Sequence, residues 1–274
     1  MSRSFGEHLR EWRLRRGLSQ LDLALEAEIS ARHLSFVETG RSQPSREMVL
    51  HLAERLTIPL RERNVLLVAA GFAPVFPERR LEDPALEPAR RAVELVLAGH
   101  EPFPAFAVDR HWRLVAANRA VAPLLEGIAP ELLEPPANVL RASLHPDGLA
   151  PRILNLAEWR AHVFERLREQ IDVTGDPVLV ELLNELKAYP TRPGRPNAHA
   201  AREDYGGVIV PLRLETKHGT LALFSTTMVF GTPVDVTLSE LAVESFFPSD
   251  AATGEILRRL SPSPPRTVAS PEPV

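Results

Sequence analysis

A chain of 274 residues, 44% hydrophobic and 25% charged, has the length of two average domains and the composition of a soluble globular protein. It has no cysteine, which excludes disulfides, thiol redox sensing, iron–sulfur clusters and thiolate zinc sites. The net charge of −4 is uneven: residues 1–70 carry 11 Arg against 9 acids, for +2, and the remainder carries −6. The longest apolar runs, such as Val65–Phe72 and Leu221–Phe224, fall well short of the roughly 20 residues that span a bilayer. The first residues lack the apolar core of a secretory signal. A cytoplasmic protein without a membrane segment is expected.

The first 70 residues predict five short helices. Phe5, Leu9 and Trp12 share one face of a helix over Phe5–Arg16, and Gly17 suits the left-handed position that ends it. Ser19 and Asp22 have the spacing of a capping box for a second helix, Gln20–Ala27, with Leu21, Leu23, Ala24 and Ala27 as inward candidates. Ser30 is the expected cap of a third, Ala31–Thr39, which stops at Gly40. Ser45 caps a fourth, and Pro59 opens a fifth that ends near Gly71. Residues 71–84 carry prolines and charge without periodicity and read as a linker.

The remainder, 85–248, predicts an α+β domain. A helix is expected over Pro88–Ala98, then a hairpin of Phe103–Asp109 with Trp112–Ala116, and a helix capped by Asn118. Trp159–Gln170 and Pro177–Leu186 are the clearest helices that follow, and 190–206 reads as a polar loop. Val208, Val210, Leu212 and Leu214 alternate as in a half-buried strand. Thr220–Phe230 is a second strand, Val234–Phe247 contains a third, 249–260 is helical, and 261–274 is too proline-rich to fold. Strands, then helices, then strands suit an antiparallel sheet with helices gathered on one face. No Gly-rich loop follows a strand, so a dinucleotide-binding fold is not expected.

Two short helices joined by a tight turn at Glu28-Ile29-Ser30 are the layout by which one helix braces another in the major groove of DNA. Leu34, Val37 and Ile29 are core in that layout. Ser30, Ala31, Arg32, His33, Ser35 and Phe36 lie away from the core or at its edge. Arg32 is the leading candidate for a base contact, because a guanidinium fork matches the paired acceptors of guanine. His33 can donate to a base or a phosphate, and Phe36 suits a thymine methyl or an internal apolar contact. Gln20, Ser35 and Arg41 are phosphate-positioning candidates.

This segment resembles the phage-repressor-like (Xre) helix-turn-helix family. The resemblance runs through Gly6, Leu9, Arg10 and Arg13, then Gly17-Leu18-Ser19-Gln20, Ile29-Ser30, Leu34-Ser35, Val37-Glu38, Gly40-Arg41 and Pro44-Ser45. It implies a transcriptional regulator, with an ion pair between Arg13 and Glu38 tying the first helix to the third. Glu28 departs from the family, which usually has Gly there, and a slightly different or strained turn is expected. The whole chain is similar to regulators that join such a headpiece to an MmyB-like, PAS-like ligand-binding domain. That similarity is carried by Ala107–Asn118, where a hairpin leads into a capped helix, and by the late strands. It implies a pocket for a small lipophilic molecule such as a fatty acid.

Such a pocket needs apolar walls and one or two polar groups. Phe106, Trp112, Trp159, Phe164, Leu223 and Phe230 are wall candidates, and Arg141, His145, Arg152 and His162 are candidates to meet a carboxylate. Ordinary core aromatics and solvated basic faces are the competing reading of the same residues. No catalytic residues, metal site or cofactor are expected: there is no nucleophile elbow, no phosphate loop and no pair of histidines at ligand spacing. Expected partners are double-stranded DNA, the small ligand and a second copy, since one headpiece at +2 binds weakly and two linked ones gain effective concentration. A ligand-independent repressor, an antitoxin-like DNA binder and an enzyme domain fused to a headpiece remain as alternatives.

Overall fold

The computed structural model describes residues 3–190, 210–231 and 233–260. In chain order the elements are α1 (Phe5–Arg15), α2 (Gln20–Glu26), α3 (Ala31–Glu38), α4 (Arg46–Arg55), α5 (Leu60–Ala69), α6 (Glu87–Gly99), β1 (Ala105–Val108), β2 (Leu114–Ala117), α7 (Val139–Leu144), α8 (Leu156–Thr174), α9 (Pro177–Ala188), β3 (Leu212–Thr216), β4 (Gly219–Val229), α10 (Val236–Ser239), β5 (Ala242–Pro248) and α11 (Ala251–Leu260). They form two compact units. One comprises Met1–Glu87, Glu165–Leu183 and Phe230–Glu240, the other Pro88–Phe164, Asn184–Val229 and Leu241–Val274.

The five N-terminal helices form at the expected places because their ends are chemically marked. The Ser19 hydroxyl accepts from the Asp22 N–H, and the Asp22 carboxylate accepts from the Ser19 N–H, satisfying two of the donors that start α2. Ser30 and Ser45 cap α3 and α4 in the same way, by accepting from His33 and Met48. α1 opens on a further capping box, Ser4 with Glu7, which the sequence reading did not anticipate. Leu9, Leu23, Leu34 and Leu52 are wholly enclosed in the core these helices share. Leu21, an inward candidate, is exposed instead, because Leu23, Ala24 and Ala27 already occupy the single buried face of so short a helix.

The turn between α2 and α3 is left-handed at Glu28, with φ of 54°. The Ile29 N–H reaches the Ala24 carbonyl at 2.9 Å and the Glu28 N–H the Leu25 carbonyl at 3.2 Å, the paired bonds of a Schellman ending. Gly17 holds the equivalent place after α1 at φ 68° without steric cost. A Cβ in this region costs about 1–2 kcal/mol, partly offset by the freedom glycine adds to the unfolded chain. Glu28→Gly is therefore expected to stabilise the headpiece by about 0.5–1 kcal/mol in urea unfolding.

Residues 71–84, expected as a linker, are fastened within the first unit. The Asn64 amide donates to the Phe76 carbonyl at 2.7 Å, and its oxygen accepts from the Val75 and Phe76 N–H groups. Arg79 pairs with the buried carboxylate of Asp235 at 3.0 Å. Segments 165–183 and 230–240, expected with the second domain, also count with the first unit. Polar bonds across long sequence separations explain this. Arg16 donates to the Leu56, Asp172 and Val173 carbonyls at 2.9, 2.9 and 3.0 Å, and Arg61 makes a forked pair with Glu240 at 2.7 and 2.9 Å.

The second unit is built on one antiparallel sheet of order β2-β1-β5-β4-β3, so the expected α+β class is present. Leu212 pairs with Leu223 and Leu214 with Leu221, and all four are buried on one face. Asn118 does not cap the following 3-10 turn with its side chain. It is buried and clamps three strand and helix ends, accepting from the Ala105 N–H and donating to the Leu97 and Phe103 carbonyls. The strand expected from Val208 is seen from Leu212, and Val208 and Ile209 lie outside the described residues, as do most of the 190–206 loop and the 261–274 tail.

Candidate functional site

In the headpiece, α3 is positioned by a buried ion pair. Arg13 on α1 gives its Nε to Glu38 Oε1 at 2.7 Å and its Nη2 to Oε2 at 3.0 Å, and the two side chains are 7% and 2% exposed. Gln20 at the start of α2 adds a bond from Nε2 to Glu38 Oε2 at 2.8 Å, and Arg13 Nη1 reaches the Leu18 carbonyl at 2.9 Å. One carboxylate at the end of α3 thus joins the first three helices. Gln20, a phosphate candidate, spends its amide donor on this network.

The leading end of α3 presents the remaining candidates. Ser30 is the cap, with its hydroxyl taken by the His33 N–H at 3.1 Å. Ala31 is partly buried against the headpiece core, and Leu34 and Val37 are core as expected. Arg32 is exposed in the first turn, and His33, Ser35 and Phe36 are half-buried. The guanidinium carbons of Arg32 and Arg41 lie 5.3 and 5.9 Å from the Phe36 ring centroid. Both arginines are therefore in cation–π range of Phe36, an arrangement that limits their freedom before any ligand arrives. The pairing was not foreseen, although Arg32 and Phe36 are four residues apart on a helix.

The other arginines of α1 are committed elsewhere. Arg15 and Arg16 flank the Trp12 ring at 5.5 and 5.2 Å, and both donate to carbonyls at the end of α8. Arg10 stays exposed.

In the second unit, the ligand candidates fall into separate groups. Phe106 and Leu223 share one face of the sheet, Leu223 buried and Phe106 half-buried, and Phe106 meets Phe246 at 5.6 Å between centroids. Glu244, opposite Phe106 and only 2% exposed, accepts from the Thr227 hydroxyl at 2.7 Å and is an acid the sequence reading missed. Trp112 is buried in the β1–β2 turn with φ of 64°. Trp159 on α8 is buried and donates its indole N–H to Ser143 of α7 at 3.0 Å, with the His162 ring 5.5 Å away. Phe164 lies beneath the Arg160 guanidinium at 5.2 Å. Phe230 counts with the first unit.

Of the four basic candidates, Arg141 is held by Glu185 of α9 through Nε and Nη2 at 2.8 and 2.7 Å. That pair raises the Arg141 pKa and holds the Glu185 carboxyl below its usual range, while burial and Glu185 push the Tyr189 phenol up. The His145 ring accepts from the Asp147 N–H at 3.1 Å and stands edge-on to Tyr189 at 4.9 Å. Arg152 donates to the Leu124 carbonyl at 2.7 Å, and burial lowers its pKa. No group of three or more metal-ligating side chains occurs among the described residues, and none of their helices is long and apolar enough to cross a membrane.

A helix-turn-helix family model matches residues 9–63. The model of the MmyB-like transcription regulator ligand binding domain matches residues 89–260, more than half of the chain. The chain belongs to the MmyB-like regulators. It is a DNA-binding transcription regulator with a ligand-binding domain, as the resemblance in both halves implied. No curated protein matches the sequence. Among solved structures, one described as "Structure of an RNA-binding Light-Oxygen-Voltage Receptor" aligns at 13% identity and a TM-score of 0.25. The alignment covers 93% of this chain and 62% of that one, and a score so low carries no argument.

Proposed function

We propose that this MmyB-like regulator reads duplex DNA through the first turn of α3, works as a homodimer, and responds to a small lipophilic molecule such as a fatty acid in its second domain. The observation that carries the reading is Arg32, exposed at the leading end of α3 and supported on Phe36, on a helix whose far end is tied down by Arg13 and Glu38. A pre-ordered guanidinium loses less freedom on meeting the paired acceptors of guanine. Arg41, which also lies against Phe36, suits a backbone phosphate. The largely apolar sheet face of Phe106, Phe246 and Leu223, which also carries Glu244, supports a lipophilic ligand, which alters DNA affinity only if it favours one arrangement of the two headpieces.

The test is selection of bound duplexes from a random pool at moderate salt, followed by affinity measurements on the winner. Arg32→Ala is expected to cost about 1–3 kcal/mol on that site and to relax preference at one base pair. An equal loss on every sequence would reassign Arg32 to a phosphate. Absence of preference over random competitor would sink the reading. Native mass spectrometry reports subunit count and any co-purified lipid in the same preparation.

A further inference from the structure

The side chain of Arg160, in the middle of α8, is out of place in an ordinary core. It is 7% exposed, and its Nη1 is buried with no hydrogen-bond partner. Its Nη2 makes two long bonds, at 3.2 and 3.5 Å, to the Leu186 and Lys187 carbonyls in the last turn of α9. No acid among the described residues pairs with it, and burial lowers its pKa. A guanidinium does not release its proton in proteins, so the charge persists. A buried charge with neither counter-ion nor full hydrogen bonding is strongly unfavourable, and such groups call for an absent ion or ligand.

We propose that Arg160 is the anion-reading group of the ligand-binding domain, with Nη1 donating to an oxygen of an acidic amphiphile. The geometry favours an acid with an apolar body: the guanidinium lies 5.2 Å from the Phe164 ring, and Trp159 is buried on the preceding position of the helix. Arg141 has its own carboxylate, Glu185, whereas Arg160 has only carbonyls. The assignment rests on the lipophilic-ligand reading for the apolar part of the molecule, but not for the anion itself.

Calorimetric titration of the full chain with dodecanoate and with methyl dodecanoate, both below micelle formation, tests it without any variant. The carboxylate is expected to bind at least about tenfold tighter than the ester, the scale of one charge-assisted hydrogen bond. Arg160→Met should abolish that preference while keeping ester affinity within about twofold, and Arg160→Lys should retain part of it. Equal binding of acid and ester to the unaltered protein, or a preference that survives Arg160→Met, overturns the assignment and leaves the lipophilic ligand standing. If neither compound binds, the lipophilic reading fails, and acetate and inorganic phosphate decide the anion site by thermal melting. A saturable rise in melting temperature in the unaltered protein, lost in Arg160→Met and partly kept in Arg160→Lys, supports the site. No such rise means that Arg160 only caps α9.

Discussion

Glu38→Leu is expected to destabilise the headpiece by about 3–5 kcal/mol, the cost of leaving a buried charge without its partner. Arg13 would remain enclosed at 7% exposure with a single carbonyl, that of Leu18, as acceptor. Against a domain stability of roughly 5–15 kcal/mol, this is enough to populate unfolded headpiece at ambient temperature. Arg13→Met should cost a similar amount, because it strands Glu38 with one bond from Gln20. The double variant Arg13→Met with Glu38→Leu should cost far less than the sum of the two, since both charges leave together and apolar atoms of similar volume replace them. Urea unfolding of the three variants measures the coupling, and additive losses would contradict it. The double variant also separates stability from recognition. If it folds yet binds the selected duplex weakly, the ion pair sets the pose of α3 as well as holding it in place.

What was legible in the sequence follows the range of the interactions. Helix ends are set within four residues of the chain, so Ser19, Ser30 and Ser45 marked the starts of α2, α3 and α4, and Gly17 and Gly40 the endings of α1 and α3. The reading of Glu28 as a strained substitute for glycine came through the family resemblance, and its φ of 54° agrees. The pairing of Arg13 with Glu38 spans 25 residues and was available only through the resemblance to a family. Arg16 shows the other side. Two of the carbonyls that it serves, those of Asp172 and Val173, lie more than 150 residues away in α8, and no local pattern announces them.

The ligand-binding domain was less legible for the same reason. Alternation revealed strands, but not that β5 would insert between β1 and β4, because register between strands distant in sequence leaves no local mark. The sequence offered Arg141, His145, Arg152 and His162 as carboxylate candidates and passed over Arg160. Only folding shows that Arg141 meets Glu185 whereas Arg160 meets no acid among the described residues. Asn118 sat at a plausible cap position, yet its amide is drawn inward by the unpaired backbone groups of Leu97, Phe103 and Ala105.

Gly6→Ala is expected to be among the most damaging single-methyl changes in the molecule. Gly6 lies in the first turn of α1 where that helix crosses α3, and a Cβ built there would stand 2.2 Å from the Glu38 carbonyl oxygen and 2.8 Å from that of Val37. Both are backbone atoms, so no rotamer change relieves the overlap and the two helices must separate. In an exposed helix the same substitution stabilises by up to about 1 kcal/mol. Here overpacking reverses the sign, with an expected loss of about 3 kcal/mol or more. Gly99→Ala at the end of α6, where a Cβ meets nothing within 4 Å, is the matched control and should be neutral or mildly stabilising. The damage should also reach DNA recognition, because the atom struck belongs to Glu38. Displacing α3 there lengthens the Arg13 bonds and turns the end that carries Arg32. Urea unfolding and duplex affinity, measured on both glycine variants, check the two effects. Unchanged stability in Gly6→Ala would mean that α1 and α3 do not approach each other this closely.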